Sequence, residues 1–163
     1  MIYNCYISIG TNLGNRIINC YTAISLLDEV MEIIAISSFY SSESWGYKDE
    51  NDYINFVVKA QTKERVEDLL DQLKLFEILM GREKNNDKHY SARIIDFDIL
   101  FFHNQVINRK NLIVPHPKLY NRKFVLEPLC ELDPFFNCPL TKKTIKELLY
   151  ESIDNTACDI YPH

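Results

Sequence analysis

Two aspartates, Asp96 and Asp98, stand in an otherwise apolar stretch, Ile94 to Phe102. Because side chains alternate along a strand, both carboxylates are expected on the same face. Left unpaired on that face, they would repel each other and be costly to desolvate. A divalent cation removes both penalties, and Mg²⁺ suits best because it takes one or two carboxylates and completes its shell with water and substrate phosphates. Alternatively, one of the aspartates pairs with Arg93 or caps a neighbouring loop.

Basic residues flank this strand on both sides in the sequence. Five cations and no acid lie between residues 104 and 126, namely Arg109, Lys110, Lys118, Arg122 and Lys123. Another group precedes the strand, namely Arg82, Lys84, Lys88, His89 and Arg93. The whole chain nevertheless has a formal net charge of −5. An acidic protein that gathers cations beside a metal-binding strand is suited to a polyphosphate, although basic residues also commonly serve only to solvate loops.

Tyr53 and Asn55 form a third candidate group. Both side chains are expected on one face of a strand, where a flat heterocycle would stack on the ring and the amide would offer a donor and an acceptor to its edge. The alternative is that Tyr53 fills the core and Asn55 is a turn residue. No P-loop, kinase glycine-rich loop, GxGxxG, GxSxG or HExxH pattern is present, which excludes several other classes of site.

Composition narrows the class of protein. The 163 residues are 47% hydrophobic and predict one domain spanning 1–163. The negative charge argues against a nucleic-acid partner, and no apolar run is long enough to cross a membrane. The start of the chain lacks a secretory signal, and five scattered cysteines without a CxxC pair are typical of reduced thiols. A cytoplasmic location is therefore expected, and the chain is also expected to be a monomer.

Hydrophobic periodicity predicts the order β-α-β-β-α-β followed by helices. The predicted strands cover 2–9, 31–40, 53–61 and 94–102, with a short edge strand at 106–107. One predicted helix begins at Arg16, and three others cover 63–80, 122–131 and 141–151. Asn15 is the expected N-cap of the first helix and Gly81 the expected end of the second. This order predicts an α+β fold, a ferredoxin-like α-β-α sandwich with a mainly antiparallel sheet and additional C-terminal helices.

Four blocks of sequence carry a family resemblance. They are YISIGTNLGNR (6–16), SSFYSSESWGYKDENDYINFVV (37–58), GREKNNDKHYSARIIDFDILFF (81–102) and VPHPKLYNRKFVLEPLCELDP (114–134). In this order and spacing, the chain resembles the 6-hydroxymethyl-7,8-dihydropterin pyrophosphokinase family. The resemblance implies transfer of diphosphate from ATP to the hydroxymethyl group of the reduced pterin in folate biosynthesis, with release of AMP. It also implies a ferredoxin-like core, two Mg²⁺ ions and ATP as co-substrate.

The resemblance also assigns roles to residues. The two metal ions are expected on Asp96 and Asp98. The expected catalytic residues are these two aspartates together with Arg82, Arg93 and His116. The pterin is expected to contact Ser42, Glu43, Trp45, Tyr53, Asn55 and Phe124. ATP is expected to contact Arg82, Lys84, Arg93, Ile99, His116 and Arg122.

The chain departs from the family pattern at several of these positions. Ser42-Glu43 stands where Thr-Pro is common, Trp45 replaces a smaller apolar residue, and Lys84 and Pro117 replace a frequent arginine and an aromatic residue. Two other functions are alternatives to the one that the resemblance implies. One is a different magnesium-dependent nucleotidyl or phosphoryl transferase, which would lack the ring clamp. The other is a non-catalytic ferredoxin-like module that binds RNA through exposed aromatic and basic residues on its sheet.

Overall fold

The computed structural model describes residues 1–44, 51–82 and 92–162, in which strands and helices alternate through the first half of the chain. The strands are β1 (Tyr3–Thr11), β2 (Glu32–Ile36), β3 (Tyr40–Ser42), β4 (Tyr53–Thr62), β5 (Asp96–Phe102), β6 (Ile107–Arg109), β7 (Leu112–Val114) and β8 (Cys158–Ile160). The α-helices are α1 (Arg16–Val30), α2 (Val66–Leu79), α3 (Lys123–Leu132) and α4 (Ile145–Glu151).

One antiparallel sheet organises the fold, with strand order β5-β1-β4-β3-β8. Strand β2 pairs with a different part of the same edge of β4 that β3 uses. The two faces of the sheet carry separate cores. Residues of α1 and α2 pack on one face, where Ile7 and Ile9 point, and residues of α3 and α4 pack on the other, where Tyr6 points. The predicted α+β sandwich with additional C-terminal helices is therefore confirmed.

The predicted helix boundaries follow from local chemistry. The Asn15 side chain accepts a hydrogen bond from the Ile18 N–H (3.1 Å), which confirms it as the N-cap of α1. After α2, Gly81 has φ of +98°, and the Arg82 and Gly81 N–H groups donate to the Glu77 and Ile78 carbonyls. This pair of bonds is the Schellman ending that a glycine permits. It turns the chain sharply, so that Arg82 directly follows the helix.

Several strand predictions need correction. The predicted strand at 31–40 is two strands, β2 and β3, because Ser37 interrupts it by bonding to Val57 through both its backbone N–H and its side-chain oxygen. The edge strand predicted at 106–107 starts one residue later and forms a hairpin with β7. The helix predicted from 141 starts at Ile145, since Thr144 and Glu147 form a capping box. The closing strand β8 was not predicted.

Both faces of the sheet are covered by helices, which leaves no open face for the RNA-binding alternative among the described strands. None of the helices in the three described ranges is both long enough and apolar enough to span a bilayer.

Candidate active site

A cavity of about 290 Å³ lies on the sheet face that α3 covers. Ten of the residues expected in the site line it: Ser42, Glu43, Tyr53, Asn55, Arg93, Asp96, Asp98, His116, Arg122 and Phe124. The other lining residues are Ser8, Gly10, Pro117 and Lys118. The cavity therefore brings together residues from β1, β3, β4 and β5 and from the segment that leads into α3.

Strand register fixes the floor of this cavity. On β1, Gly10 is paired with Asp96 on one side and with Asn55 on the other. Paired residues share a face, so Asp96 and Asn55 lie in one row, two strand spacings or about 10 Å apart. Asp98 lies beside Ser8 in the next row on the same face. The sheet thus holds the carboxylates at one end of the cavity and the amide at the other.

Arginines neutralise Asp96. Its two carboxylate oxygens lie 3.0 Å from Arg82 Nη1 and 3.2 Å from Arg93 Nη1. The pairing with Arg93, the alternative to a metal site, is therefore present, yet Asp96 still lines the cavity. Burial and the charge of Asp98 nevertheless raise the pKa of Asp96, because they outweigh the two arginines. The two arginines stand beside the carboxylate that a metal ion would use.

Glu77 is an acidic member of the site that sequence reasoning missed. It is buried on α2, accepts a hydrogen bond from the Phe97 N–H (2.9 Å) and pairs with Arg82. Burial raises the pKa of Glu77 to about 7, against the opposing effect of the Phe97 bond. The available signal was its spacing, since Glu77 follows Leu69 and Leu73 on the buried side of the helix. Glu77 ties α2 to the strand that carries both aspartates.

The turn after β1 positions Arg93. The Asn12 N–H donates to the Arg93 carbonyl (3.1 Å), and the Asn12 side-chain oxygen accepts from the Arg93 N–H (2.8 Å). Asn12 is only 1% exposed, so these bonds are shielded from water. The sequence between Gly10 and Gly14, a weak indication of function when taken alone, therefore fixes the backbone of an arginine in the site.

Asp98 lies in a different charge environment from Asp96. His116 Nε2 is 3.6 Å from Asp98 Oδ1, and His116 Nδ1 accepts a hydrogen bond from the Lys118 N–H (3.2 Å). Because Nδ1 is an acceptor, a neutral His116 carries its proton on Nε2, facing Asp98. Burial opposes ionisation of Asp98, but the nearby His116 and the charges of Arg122 and Arg93 lower its pKa below the usual value. Asp98 is therefore held as a carboxylate.

Asn55 is held rigidly at the other end of the cavity. Its Nδ2 donates to Ser42 Oγ (2.8 Å), and both residues are 3% exposed. Its Oδ1 lies over Gly10, where an added Cβ would be only 2.8 Å away. Glycine at position 10 therefore leaves the space that the amide occupies. Two aromatic residues also line the cavity, Tyr53 at the start of β4 and Phe124 in the first turn of α3.

A second cavity of about 270 Å³ adjoins the first and shares Asp98, His116 and Pro117 with it. It lies between β5 and the turn of the β6–β7 hairpin, and Leu70, Ile99 and Lys110 contribute to its wall. Ile99, expected at the nucleotide, is thus brought to this second cavity. The shared residues connect the two spaces beside the aspartates.

Some residues that the sequence suggested for the site are not part of the first cavity. Trp45 and Lys84 fall outside the described residues. Of the cations that follow β5, Lys118 and Arg122 line the first cavity, but Arg109 pairs with Glu67 on α2. The missed Ser8 and Gly10 had a sequence signal, because small and polar residues at alternate positions interrupt the face of an otherwise apolar β1.

The donor set fits a magnesium ion that relies on substrate for its remaining ligands. Across the described ranges no group of three or more His, Cys, Asp or Glu side chains is arranged to hold a metal ion. Asp96 and Asp98 supply two carboxylates to one cavity, which is the usual protein share of a Mg²⁺ shell completed by phosphates and water.

Comparison with known proteins gives a consistent result. Residues 6–134 match the profile of the family described as 7,8-dihydro-6-hydroxymethylpterin-pyrophosphokinase. The chain is 37% identical over 155 residues to 2-amino-4-hydroxy-6-hydroxymethyldihydropteridine pyrophosphokinase of Aquifex aeolicus, covering 95% of this chain and 96% of the relative. It is 31% identical to the protein of the same name from Haemophilus influenzae, with 96% and 98% covered.

Longer proteins contain a similar region. The folic acid synthesis protein fol1 of Pneumocystis carinii is 36% identical over 158 residues, and the match covers 96% of this chain but 21% of that protein. A crystal structure of Plasmodium falciparum HPPK-DHPS has a similar fold, with a TM-score of 0.77 at 17% identity. That match covers 93% of this chain and 45% of the Plasmodium chain, so the present chain spans less than half of the solved protein.

Proposed function

Since the chain belongs to the 7,8-dihydro-6-hydroxymethylpterin-pyrophosphokinase family and is a pyrophosphokinase of folate synthesis, we propose a role for each part of its cavity. The reaction moves the diphosphate of ATP to the hydroxymethyl group of 6-hydroxymethyl-7,8-dihydropterin. The hydroxyl oxygen bonds to the β-phosphorus, the bond from that phosphorus to the oxygen it shares with the α-phosphate breaks, and AMP leaves with that oxygen. The hydroxyl proton is released.

The pterin occupies the part of the cavity between Tyr53 and Phe124. Its ring stacks on these aromatic side chains, and the Asn55 amide bonds to its polar edge. The observation that carries this proposal is the row formed by Asp96, Gly10 and Asn55 across three strands. A ring whose edge meets Asn55 extends along this row towards β5 and points its hydroxymethyl group towards Asp96 and Asp98. Ser42 and Glu43 form the wall at the β3 end.

Asp96 and Asp98 hold the metal, for which two Mg²⁺ ions are expected. When bound, Mg²⁺ neutralises the triphosphate and aligns the β-phosphate with its acceptor. The two side chains suit this role because both open into the cavity and Asp98 remains ionised beside His116. The chain's part in catalysis is then to align the reactants and to neutralise charge.

Arg82 and Arg93 have two successive partners in this proposal. Without substrate they neutralise Asp96, at 3.0 and 3.2 Å. Asp96 would serve as a ligand of the cation that accompanies ATP, and the guanidinium groups of Arg82 and Arg93 beside it would then bind phosphate oxygens, for which arginine is well suited. Hydrogen bonds hold the backbones of both arginines, Arg82 at the ending of α2 and Arg93 through Asn12.

The nucleotide spans both cavities. Its base and sugar occupy the second cavity, against Leu70 and Ile99, and its phosphates pass Asp98 and His116 into the first. His116 Nε2 and the Arg122 guanidinium are positioned to donate to phosphate oxygens as charge moves towards AMP. Lys84 remains a predicted ATP contact outside the described residues. The number of metal ions, the monomeric state and the cytoplasmic location stay predictions.

The test is an assay with ATP, Mg²⁺ and the reduced hydroxymethylpterin, with a radioactive label in the β-phosphate of ATP. Transfer of diphosphate places the label in the pterin product and releases unlabelled AMP. Transfer of only the terminal phosphate would leave the label in ADP and would contradict the proposal. The same mixture without the pterin is the control, and it should release no AMP.

A further inference from the structure

Two residues of helix α3, Phe124 and Glu131, contact different parts of the structure. Phe124 lies in its first turn and Glu131 in its last, seven residues further on. Seven residues complete almost two full turns, so both side chains project from the same side of the helix. Phe124 reaches the cavity, and Glu131 reaches the segment that enters β3.

Glu131 makes three hydrogen bonds to that segment. Its Oε1 accepts from the Ser38 N–H (2.8 Å) and the Ser38 hydroxyl (3.0 Å), and its Oε2 accepts from the Tyr40 hydroxyl (2.5 Å). Although Glu131 itself is exposed, Tyr40 is only 7% exposed. Hydrogen bonds to an ionised carboxylate are stronger than those between neutral groups. The last turn of α3 is thus fastened to the start of β3.

Tyr40 lies directly beside the part of the cavity assigned to the pterin. It is the strand partner of Asn55, so the two side chains share a face at neighbouring positions. Two residues further along β3, Ser42 accepts the hydrogen bond that orients Asn55. The first turn of α3 is anchored separately, because the Asp154 carboxylate accepts from the Lys123 N–H (2.8 Å). Glu131 therefore links the strand that carries Ser42 to the helix that carries Phe124, and both residues line the cavity.

We infer that Glu131 is a positioning residue for the pterin, one that fixes β3 and Tyr40 relative to α3 and so sets the spacing between Phe124 and the Tyr53–Asn55 wall. The inference rests on the proposed function, since it assumes that the pterin binds between these surfaces. Glu131 does not line the cavity. It holds the two sides of the cavity in place before the pterin arrives, which lowers the conformational entropy that is lost on binding.

The chain supplies a matched control at the same end of α3. Asp133 accepts hydrogen bonds from the Tyr6 hydroxyl (2.6 Å) and from Lys59 Nζ (2.8 Å). These partners belong to β1 and β4, four residues along each strand from Gly10 and Asn55. Asp133 therefore fastens the same helix to the sheet at a distance from the cavity and has no bond to β3 among those described. If weaker attachment of α3 to the sheet were enough to reduce pterin binding, variants at Glu131 and at Asp133 would both show the reduction.

The experiment compares Glu131→Ala, Glu131→Gln and Asp133→Asn by titration with the reduced hydroxymethylpterin and, separately, with a non-hydrolysable ATP analogue and Mg²⁺. We expect Glu131→Ala to weaken pterin binding about tenfold, or about 1.4 kcal/mol, with unchanged nucleotide affinity. Glu131→Gln, which keeps one carbonyl acceptor, should recover part of the loss. Asp133→Asn should bind the pterin like the unaltered chain.

A folded Glu131→Ala that binds the pterin normally would overturn the inference, and so would an equal loss in Asp133→Asn. If Glu131→Ala fails to fold, Tyr40→Phe removes a single hydroxyl from the same link and is expected to weaken pterin binding about threefold, a factor that corresponds to a fraction of one hydrogen bond. Normal pterin binding by Tyr40→Phe would then overturn the inference. Failure of the unaltered chain to bind the pterin would instead contradict the proposed function.

Discussion

Replacing Gly10 by alanine tests the geometry of the pterin end of the cavity. The new Cβ would lie 2.8 Å from Asn55 Oδ1, whereas ordinary contacts begin at 3.4 Å. The amide must therefore move by about 0.6 Å or rotate, and either change disturbs its bond to Ser42 Oγ. The displaced amide also loses its proposed bond to the pterin edge, and one buried hydrogen bond lost with a partner left unsatisfied costs about 1–3 kcal/mol. Pterin affinity should fall by a factor of about 5 to 150.

Calorimetric titration with the pterin measures this loss directly, and a parallel titration with nucleotide and Mg²⁺ should show no change. Gly14→Ala is the control, because Gly14 has a φ of +71° and lies in the turn that follows β1, away from Asn55. It should cost about 1–2 kcal/mol of folding free energy through backbone strain and leave pterin affinity unchanged. A folded Gly10→Ala protein with unchanged pterin affinity would refute the assignment of Asn55 to the ring edge.

Two further variants probe the remaining parts of the site. Asp98→Asn keeps the shape of the side chain but removes a metal-binding charge, so AMP release should be abolished while the thermal unfolding midpoint is maintained; near-normal turnover would argue against the metal role. Tyr53→Ala removes one ring of the clamp, so pterin affinity should fall while the affinity for ATP hardly changes, and an unaltered pterin dissociation constant would count against stacking on this ring.

The sequence predicted those features that depend on local pattern. Alternation along β5 placed Asp96 and Asp98 on one face, and both do line one cavity. Local capping chemistry predicted the start of α1 at Asn15 and the glycine ending of α2. These interactions join residues only a few positions apart, so their geometry can be read from spacing alone.

Features that depend on distant partners were missed. Strand β8 has no strong periodicity of its own and is defined by its pairing with β3, more than a hundred residues earlier. The role of Glu77 becomes visible only when α2 packs beside β5, so that its carboxylate meets the Phe97 N–H and Arg82. Arg109 illustrates the opposite error: it belongs to the basic segment in the sequence, but the β6–β7 hairpin directs it towards Glu67.

The proposed function depends on Asp96 and Asp98 as ligands of the metal ions that hold the phosphates beside the pterin. Anomalous diffraction from crystals grown with Mn²⁺, a non-hydrolysable ATP analogue and the pterin tests it most directly. We expect anomalous peaks within bonding distance of both carboxylates, with Arg82 and Arg93 moved onto phosphate oxygens. Peaks located only elsewhere, with Asp96 still paired to both arginines, would contradict it.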